Sequence, residues 1–295
     1  MYSFWLFSLL APAFMAVSNL VDNHVLHARY KDPVSYDIVT TWISLPVAVG
    51  IFLAKRVSFS FDAWFVGTAV GFSFTFLFIL YTVAMMREQG TNVVSVIYVS
   101  PLFVAVLAGL FLGERLDAIN YAGILLLVAS AFLVLYKRIN TRNFALGMIL
   151  LYSFAAAASR VVTKSALESV DVWSYYFWFL VGGLLGSIVL AVAWRAYGRA
   201  VTKPDRPSLL LMVATDAFST VGLVLLYSAF YYGSVTLASG LTAIQPSLVF
   251  LYSAVLLRFR PGAIPAERIA GRWANIRKVG AALLIVAGAL ALIAV

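Results

Sequence analysis

Tyr81-Thr82-Val83-Ala84-Met85-Met86, a polar break Arg87-Glu88-Gln89-Gly90, an apolar run interrupted by Pro101, the turn Gly113-Glu114-Arg115 and a further apolar run from Tyr121 to Tyr136 follow one another without a gap. The same order returns near the C-terminus. There Leu225-Leu226-Tyr227-Ser228-Ala229-Phe230 leads into an apolar run broken by Pro246, and Val279-Gly280-Ala281 opens the last run. A shift of 145 residues carries Ala84 onto Ala229, Pro101 onto Pro246 and Arg115 onto Arg260. The final run needs a shift of 157 or 158, so about 12 extra residues lie between the matched segments. A duplicated unit is the simplest account of such self-similarity. Residues 1–138 are expected to form the first unit and 139–295 the second.

Composition sets the class. With 63% hydrophobic and 11% charged residues in 295, and a mean hydropathy of +0.97, the chain has too little polar surface to cover a soluble globule. It reads as an integral membrane protein. The absence of cysteine excludes a disulfide framework and a thiolate metal site. The net charge of +9 resides in short gaps between apolar runs and forms no stripe interleaved with aromatics. Nucleic acid is therefore not an expected partner, and membrane lipids with anionic headgroups are.

Runs long enough to cross hydrocarbon, roughly 17–25 residues each, lie near 4–21, 36–54, 63–86, 93–112, 119–136, 144–163, 172–194, 208–232, 235–257 and 278–295. The first lacks a basic leader and a small-residue cleavage site, so it reads as a retained helix. Neither a two-residue alternation nor the ten-residue rhythm of a membrane barrel occurs, and helices must satisfy the backbone. The fold class is thus all-α: ten transmembrane helices as two five-helix inverted repeats. An odd number of spans per unit forces the second copy to enter the membrane in the opposite sense. Fainter echoes agree, with Ser35-Tyr36 matching Ser174-Tyr175 at the start of the second span of each half.

Inverted repeats, proline-broken helices and polar residues within apolar runs point to a secondary transporter with its site between the halves. The segment Tyr81 to Tyr136, with Ala84, Pro101, Leu112-Gly113-Glu114-Arg115 and the Gly123 helix, resembles the EamA-type repeat of the drug/metabolite transporter superfamily. Two such repeats cover most of the chain. The second copy departs at Arg258-Phe259-Arg260-Pro261-Gly262, followed by a basic insertion to Lys278. Thr41-Trp42 stands in the second span where relatives often carry arginine. The resemblance implies a bacterial or archaeal inner membrane, an amino acid or related compound as substrate, export as direction, and both termini in the cytoplasm. The charges imply the opposite orientation. Lys55, Arg56, Arg115 and Lys164 flank spans on the N-terminal side, whereas sixteen Lys and Arg flank them on the other, which the positive-inside rule assigns to the cytoplasm.

The candidate site follows from charges and polar stripes. Arg160 and Asp216 sit deepest in apolar runs, where each costs roughly 2.5–3.5 kcal/mol on insertion scales, so both are expected to face the bundle interior. Arg160 could bind a substrate carboxylate and Asp216 an amine or a coupling proton; a buried ion pair joining two helices is the competing reading. Asn19, Tyr98, Tyr227 and Gln245 complete the substrate-binding set. Pro101 and Pro246 are the hinge candidates, a packing kink being the alternative for each. Asn92, Ser95 and Tyr98 form one stripe and Ala238, Thr242 and Gln245 another, readable either as cavity lining or as close helix packing. His24 and His27, with Asp22 beside them, read as a hydrated loop cluster, and no metal site is expected. Glu114 and Arg115 read as a structural tie. No nucleophile constellation and no phosphate-binding glycine motif occurs, so neither an enzyme nor a cofactor is expected. The function expected is that of a secondary transporter of a small polar organic metabolite, as a monomer or homodimer. The alternatives are a lipid flippase or scramblase and a non-transporting scaffold.

Overall fold

The structure is a computed structural model and describes residues 2–30, 32–87, 97, 99–135, 143–259 and 272–293. Every regular element among these residues is helical, since backbone groups in lipid must be paired within their own segment. In chain order the helices are α1 (Tyr2–Ala28), α2 (Pro33–Ile43), α3 (Leu45–Ala54), a π-helical turn at Asp62–Val66 that runs into α4 (Gly67–Arg87), α5 (Ser100–Phe111) and α6 (Ala118–Leu135). They continue as α7 (Asn143–Leu167), α8 (Val172–Ala196), α9 (Arg206–Tyr232), α10 (Val235–Thr242), α11 (Gln245–Phe259) and α12 (Arg272–Ile293).

Among the described residues, six stretches are long and apolar enough to cross a membrane: Tyr2–Leu26, Pro33–Ala54, Asp62–Val83, Val172–Ala196, Arg206–Tyr232 and Val235–Leu256. Shorter apolar helices occupy Ser100–Phe111, Ala118–Ser130 and Leu283–Leu292, and α7 carries Arg160 and Lys164. The chain is an all-α membrane protein of about ten helices.

Two of the spans are each built from two helices. Between α2 and α3 only Ser44 intervenes, its N–H bonded to the Thr41 carbonyl at 3.2 Å, and Pro46 sits in the first turn of α3. Between α10 and α11, Ala243 and Ile244 donate to the carbonyls of Gly240 and Leu241 at 3.0 and 3.1 Å, and Pro246 is the second residue of α11. Pro101 likewise occupies the first turn of α5. The prolines thus restart a helix where a missing N–H costs nothing, and no intact helix is kinked at Pro101 or Pro246.

Helix packing follows the small residues. Helices α4 and α8 touch so closely that a Cβ on Gly182 would lie 2.1 Å from the Thr68 carbonyl oxygen, and one on Gly71 would lie 1.9 Å from that of Phe179. Helices α1 and α9, and α6 and α12, form the other extensive pairs. With hydrocarbon outside, apolar contact between helices gains little over contact with lipid, so such close backbone approach supplies the packing energy.

Matching caps start α2 and α8. Asp32 accepts the N–H groups of Val34 and Ser35 and the Ser35 hydroxyl. Asp171 accepts those of Trp173 and Ser174, and the Ser174 hydroxyl at 2.6 Å. Each capped serine then reaches a segment more than a hundred residues away. Ser174 Oγ accepts the Ser58 N–H at 2.9 Å, and Ser35 Oγ accepts the Thr202 N–H at 2.9 Å. The turn residue Glu114 caps α10, accepting the N–H groups of Val235 and Thr236 at 2.9 and 3.2 Å and the hydroxyls of Ser234 and Thr236 at 2.8 and 2.6 Å. The tie expected at Glu114 is therefore a bridge to a helix about 120 residues away; Arg115 itself is exposed.

Candidate functional site

A cavity of about 260 Å³ is lined by residues of α1, α2, α4, α7, α8 and α9, with Ser44, Ile97, Ser100 and Gln245 beside them. It is small beside the about 300–1,000 Å³ of typical ligand pockets and suits a metabolite more than a drug-sized compound. Asn19, Arg160, Asp216, Tyr227 and Gln245 all line it. Tyr98 lies outside the described residues, as do Asn92 and Ser95. Of the second stripe, Gln245 lines the cavity, Thr242 touches Arg160, and Ala238 belongs to the packed core. Pro101 and Pro246 do not line the cavity themselves; their neighbours Ser100 and Gln245 do.

The helix gaps deliver polar atoms to the two deep charges. Ser44, in the gap between α2 and α3, donates its hydroxyl to Asp216 Oδ1 at 2.5 Å. At the end of α10, Thr242 Oγ1 accepts from Arg160 Nη1 at 3.4 Å. Along α7, one turn beyond Arg160, Lys164 turns away from the cavity and donates to the Phe230 carbonyl at 3.0 Å. The ion pairs among the described residues, Arg29–Asp205 and Lys164–Glu168, do not involve Asp216. An Arg160–Asp216 pair serving only to join two helices is thus not the arrangement seen.

One expectation is corrected. Asp22 is no hydrated loop residue beside His24: α1 continues to Ala28, and Asp22 is 3% exposed, lines the cavity and accepts the Tyr36 hydroxyl at 2.5 Å. The first apolar run stops near 21, whereas the helix extends well past it because Asp22 has a buried donor waiting on α2. Asn19, one turn earlier, accepts the Tyr81 hydroxyl at 3.2 Å.

Asp37 is a second carboxylate not singled out from the sequence. It is 2% exposed, lines the cavity, and its Oδ2 has no hydrogen-bond partner among the described residues. A signal existed. Asp37, Thr40, Thr41 and Ser44 recur at three- and four-residue spacing and make one polar face in an apolar run. Met15, Ser18, Asn19 and Asp22 do the same on α1, and Asp216, Ser219, Thr220, Leu223 and Tyr227 on α9.

Aromatic rings form the rest of the wall. Tyr227 meets Tyr175, Tyr176 and Phe179 edge-on, at centroid distances of 5.6, 6.1 and 5.9 Å. The Tyr81 ring lies 5.1 Å from that of Phe78 and 5.9 Å from that of Tyr152. Chemically the site is a narrow aromatic chamber with three aspartates, one arginine and a set of hydroxyls. It can orient and pair a small charged molecule.

Residues 3–136 match the sequence model of the EamA-like transporter family. Comparison with curated proteins gave no match. A solved crystal structure of a protein superimposes with a TM-score of 0.75 over 99% of this chain and 96% of that one, at 18% identity, a likeness of fold alone. The N-terminal part of the chain is thus similar to EamA-like transporters, a likeness consistent with the drug/metabolite transporter superfamily, and the chain as a whole has the fold of an all-α membrane protein.

Proposed function

We propose that this chain is a secondary carrier of a small polar organic metabolite, an amino acid or a related compound. It works by alternating access between residues 1–138 and 139–295 and in the direction of export. The observation that carries the reading is the cavity itself, to which both proposed halves contribute charged groups, Asp22 and Asp37 from the first and Arg160 and Asp216 from the second. Charges so deep in apolar helices are costly unless a ligand or ion uses them. The crossed serine bonds, Ser58 to Ser174 and Thr202 to Ser35, exchange under a five-for-five correspondence of spans, as do the pairings of α5 with α7 and of α11 with α1. Two such halves can rock about one shared site.

A lipid-handling role would call for Lys and Arg around an opening, whereas Arg160 is the sole basic side chain among the described lining residues. The carrier reading is tested by reconstitution. Purified protein in sealed proteoliposomes should exchange radiolabelled amino acids against an internal pool without ATP, and an imposed proton gradient should drive net movement if a coupling proton is used. A folded, correctly inserted protein that exchanges no amino acid would overturn it.

A further inference from the structure

We infer that the cavity takes a dibasic amino acid, a small aliphatic zwitterion whose side chain ends in a second amine. The inference rests on the carrier reading and adds to it the charge pattern of the substrate. Among the described lining residues the ionisable acids are Asp22, Asp37 and Asp216, and the one base is Arg160. A neutral zwitterion offers this set one cation and one anion. A dibasic amino acid offers two cations and one anion, which matches the excess of acid over base more closely.

The hydrogen bonds assign the roles. Asp22 is engaged by the Tyr36 hydroxyl at 2.5 Å, deep between α1 and α2. Asp216 accepts one bond, from Ser44, and is half-buried against the cavity. Asp37, 2% exposed, has an Oδ2 with no partner among the described residues. A buried carboxylate oxygen left without a donor is expensive, and an ammonium brings three donors to it. Asp37 on α2 and Asp216 on α9 thus receive the two amines. Arg160 on α7, its guanidinium oriented by Thr242, receives the carboxylate. The faces of Phe74, Phe78, Tyr152 and Tyr227 accommodate the methylene chain and attract a cation electrostatically.

Discrimination follows from the same imbalance. A site built around a polar group rejects an isostere that lacks its partner far more strongly than an apolar pocket rejects a missing methylene. L-lysine, L-norleucine, which lacks the terminal amine, and cadaverine, which lacks the carboxylate, form a matched set. In counterflow with reconstituted full-length protein, L-lysine should exceed each of the other two by about 100-fold or more in kcat/KM. Asp37→Asn should erase most of the advantage of lysine over norleucine, with a monodisperse size-exclusion profile as the sign of folded protein. Should Asp37→Asn fail to insert, the comparison of the three compounds on the unaltered chain still decides. Norleucine exchanged as well as lysine would overturn the dibasic assignment and leave the carrier reading standing. Exchange of cadaverine equal to that of lysine would remove the role given to Arg160. Retention of the lysine preference in Asp37→Asn would remove that given to Asp37. No exchange of these or any other amino acid by folded protein would overturn both the assignment and the carrier reading.

Discussion

Asp216 Oδ1 accepts the Ser44 hydroxyl at 2.5 Å, so the middle of α9 is tied to the single residue that separates α2 from α3. The bond meets α2 and α3 at a point where the backbone is already interrupted. Relative motion of α9 and α2 must stretch or break it.

Transport should accordingly be lost in Arg160→Ala and Asp216→Asn with insertion and folding retained. Ser44→Ala removes a donor and leaves the charge, so it should weaken substrate affinity by about 10-fold, the worth of one hydrogen bond to a charged group at about 1.5 kcal/mol. Proteoliposome exchange beside size-exclusion profiles checks all three. Normal exchange by either charge variant would remove that residue from the site.

The serines Ser35 and Ser174 make equivalent cross-half bonds, each accepting a backbone N–H at 2.9 Å. Ser35→Ala and Ser174→Ala should each cost about 1 kcal/mol and lower the thermal midpoint in detergent by similar amounts. Lying at opposite ends of the bundle with no shared partner, they should add in the double variant. A large effect of one and none of the other would contradict their equivalence.

Gly182→Ala places a methyl 2.1 Å from the Thr68 carbonyl oxygen, with backbone on both sides of the clash. Overpacking of this kind costs about 1–3 kcal/mol, and more where neither backbone can give. Folded yield should fall sharply. Gly50→Ala is the control, because nothing lies within 4 Å of its added Cβ. Monodisperse yield after purification distinguishes the two.

Orientation in the membrane is open to a direct measurement. The excess of Lys and Arg on one set of loops predicts that a reporter fused after Val295 reads as non-cytoplasmic. Cytoplasmic activity there would show that the orientation implied by the EamA resemblance overrides the charge count.

Legibility in the sequence followed the range of the physics involved. Apolar runs are local, since hydrocarbon thickness demands a continuous stretch of a certain length whatever packs beside it. The helical membrane class could therefore be read directly, as could the position of Arg160 and Asp216 within apolar runs. The echo of Ser35-Tyr36 in Ser174-Tyr175 was also visible. Its meaning was not, because the partners Thr202 and Ser58 lie more than a hundred residues away.

Asp22 shows where local reasoning stops. Its apolar run ends near 21 and two histidines follow, so hydration was the natural reading, and the Tyr36 hydroxyl arriving from another helix helps make burial tolerable. Asp37 was legible as part of a polar stripe, yet a stripe does not say whether it faces lipid, protein or a cavity. The prolines behaved similarly. From the sequence, Pro101 and Pro246 had to interrupt a helix, since each lacks an N–H. The fold decided that the interruption is a complete restart, with Thr242 and Gln245 beside one gap and Ser44 in another supplying polar atoms to the cavity. By itself the sequence determined which segments enter the membrane and where their helices break, because both depend on neighbours along the chain. Tertiary structure alone decided which acids meet which donors, because the energy of a buried charge is set by atoms brought to it from other helices.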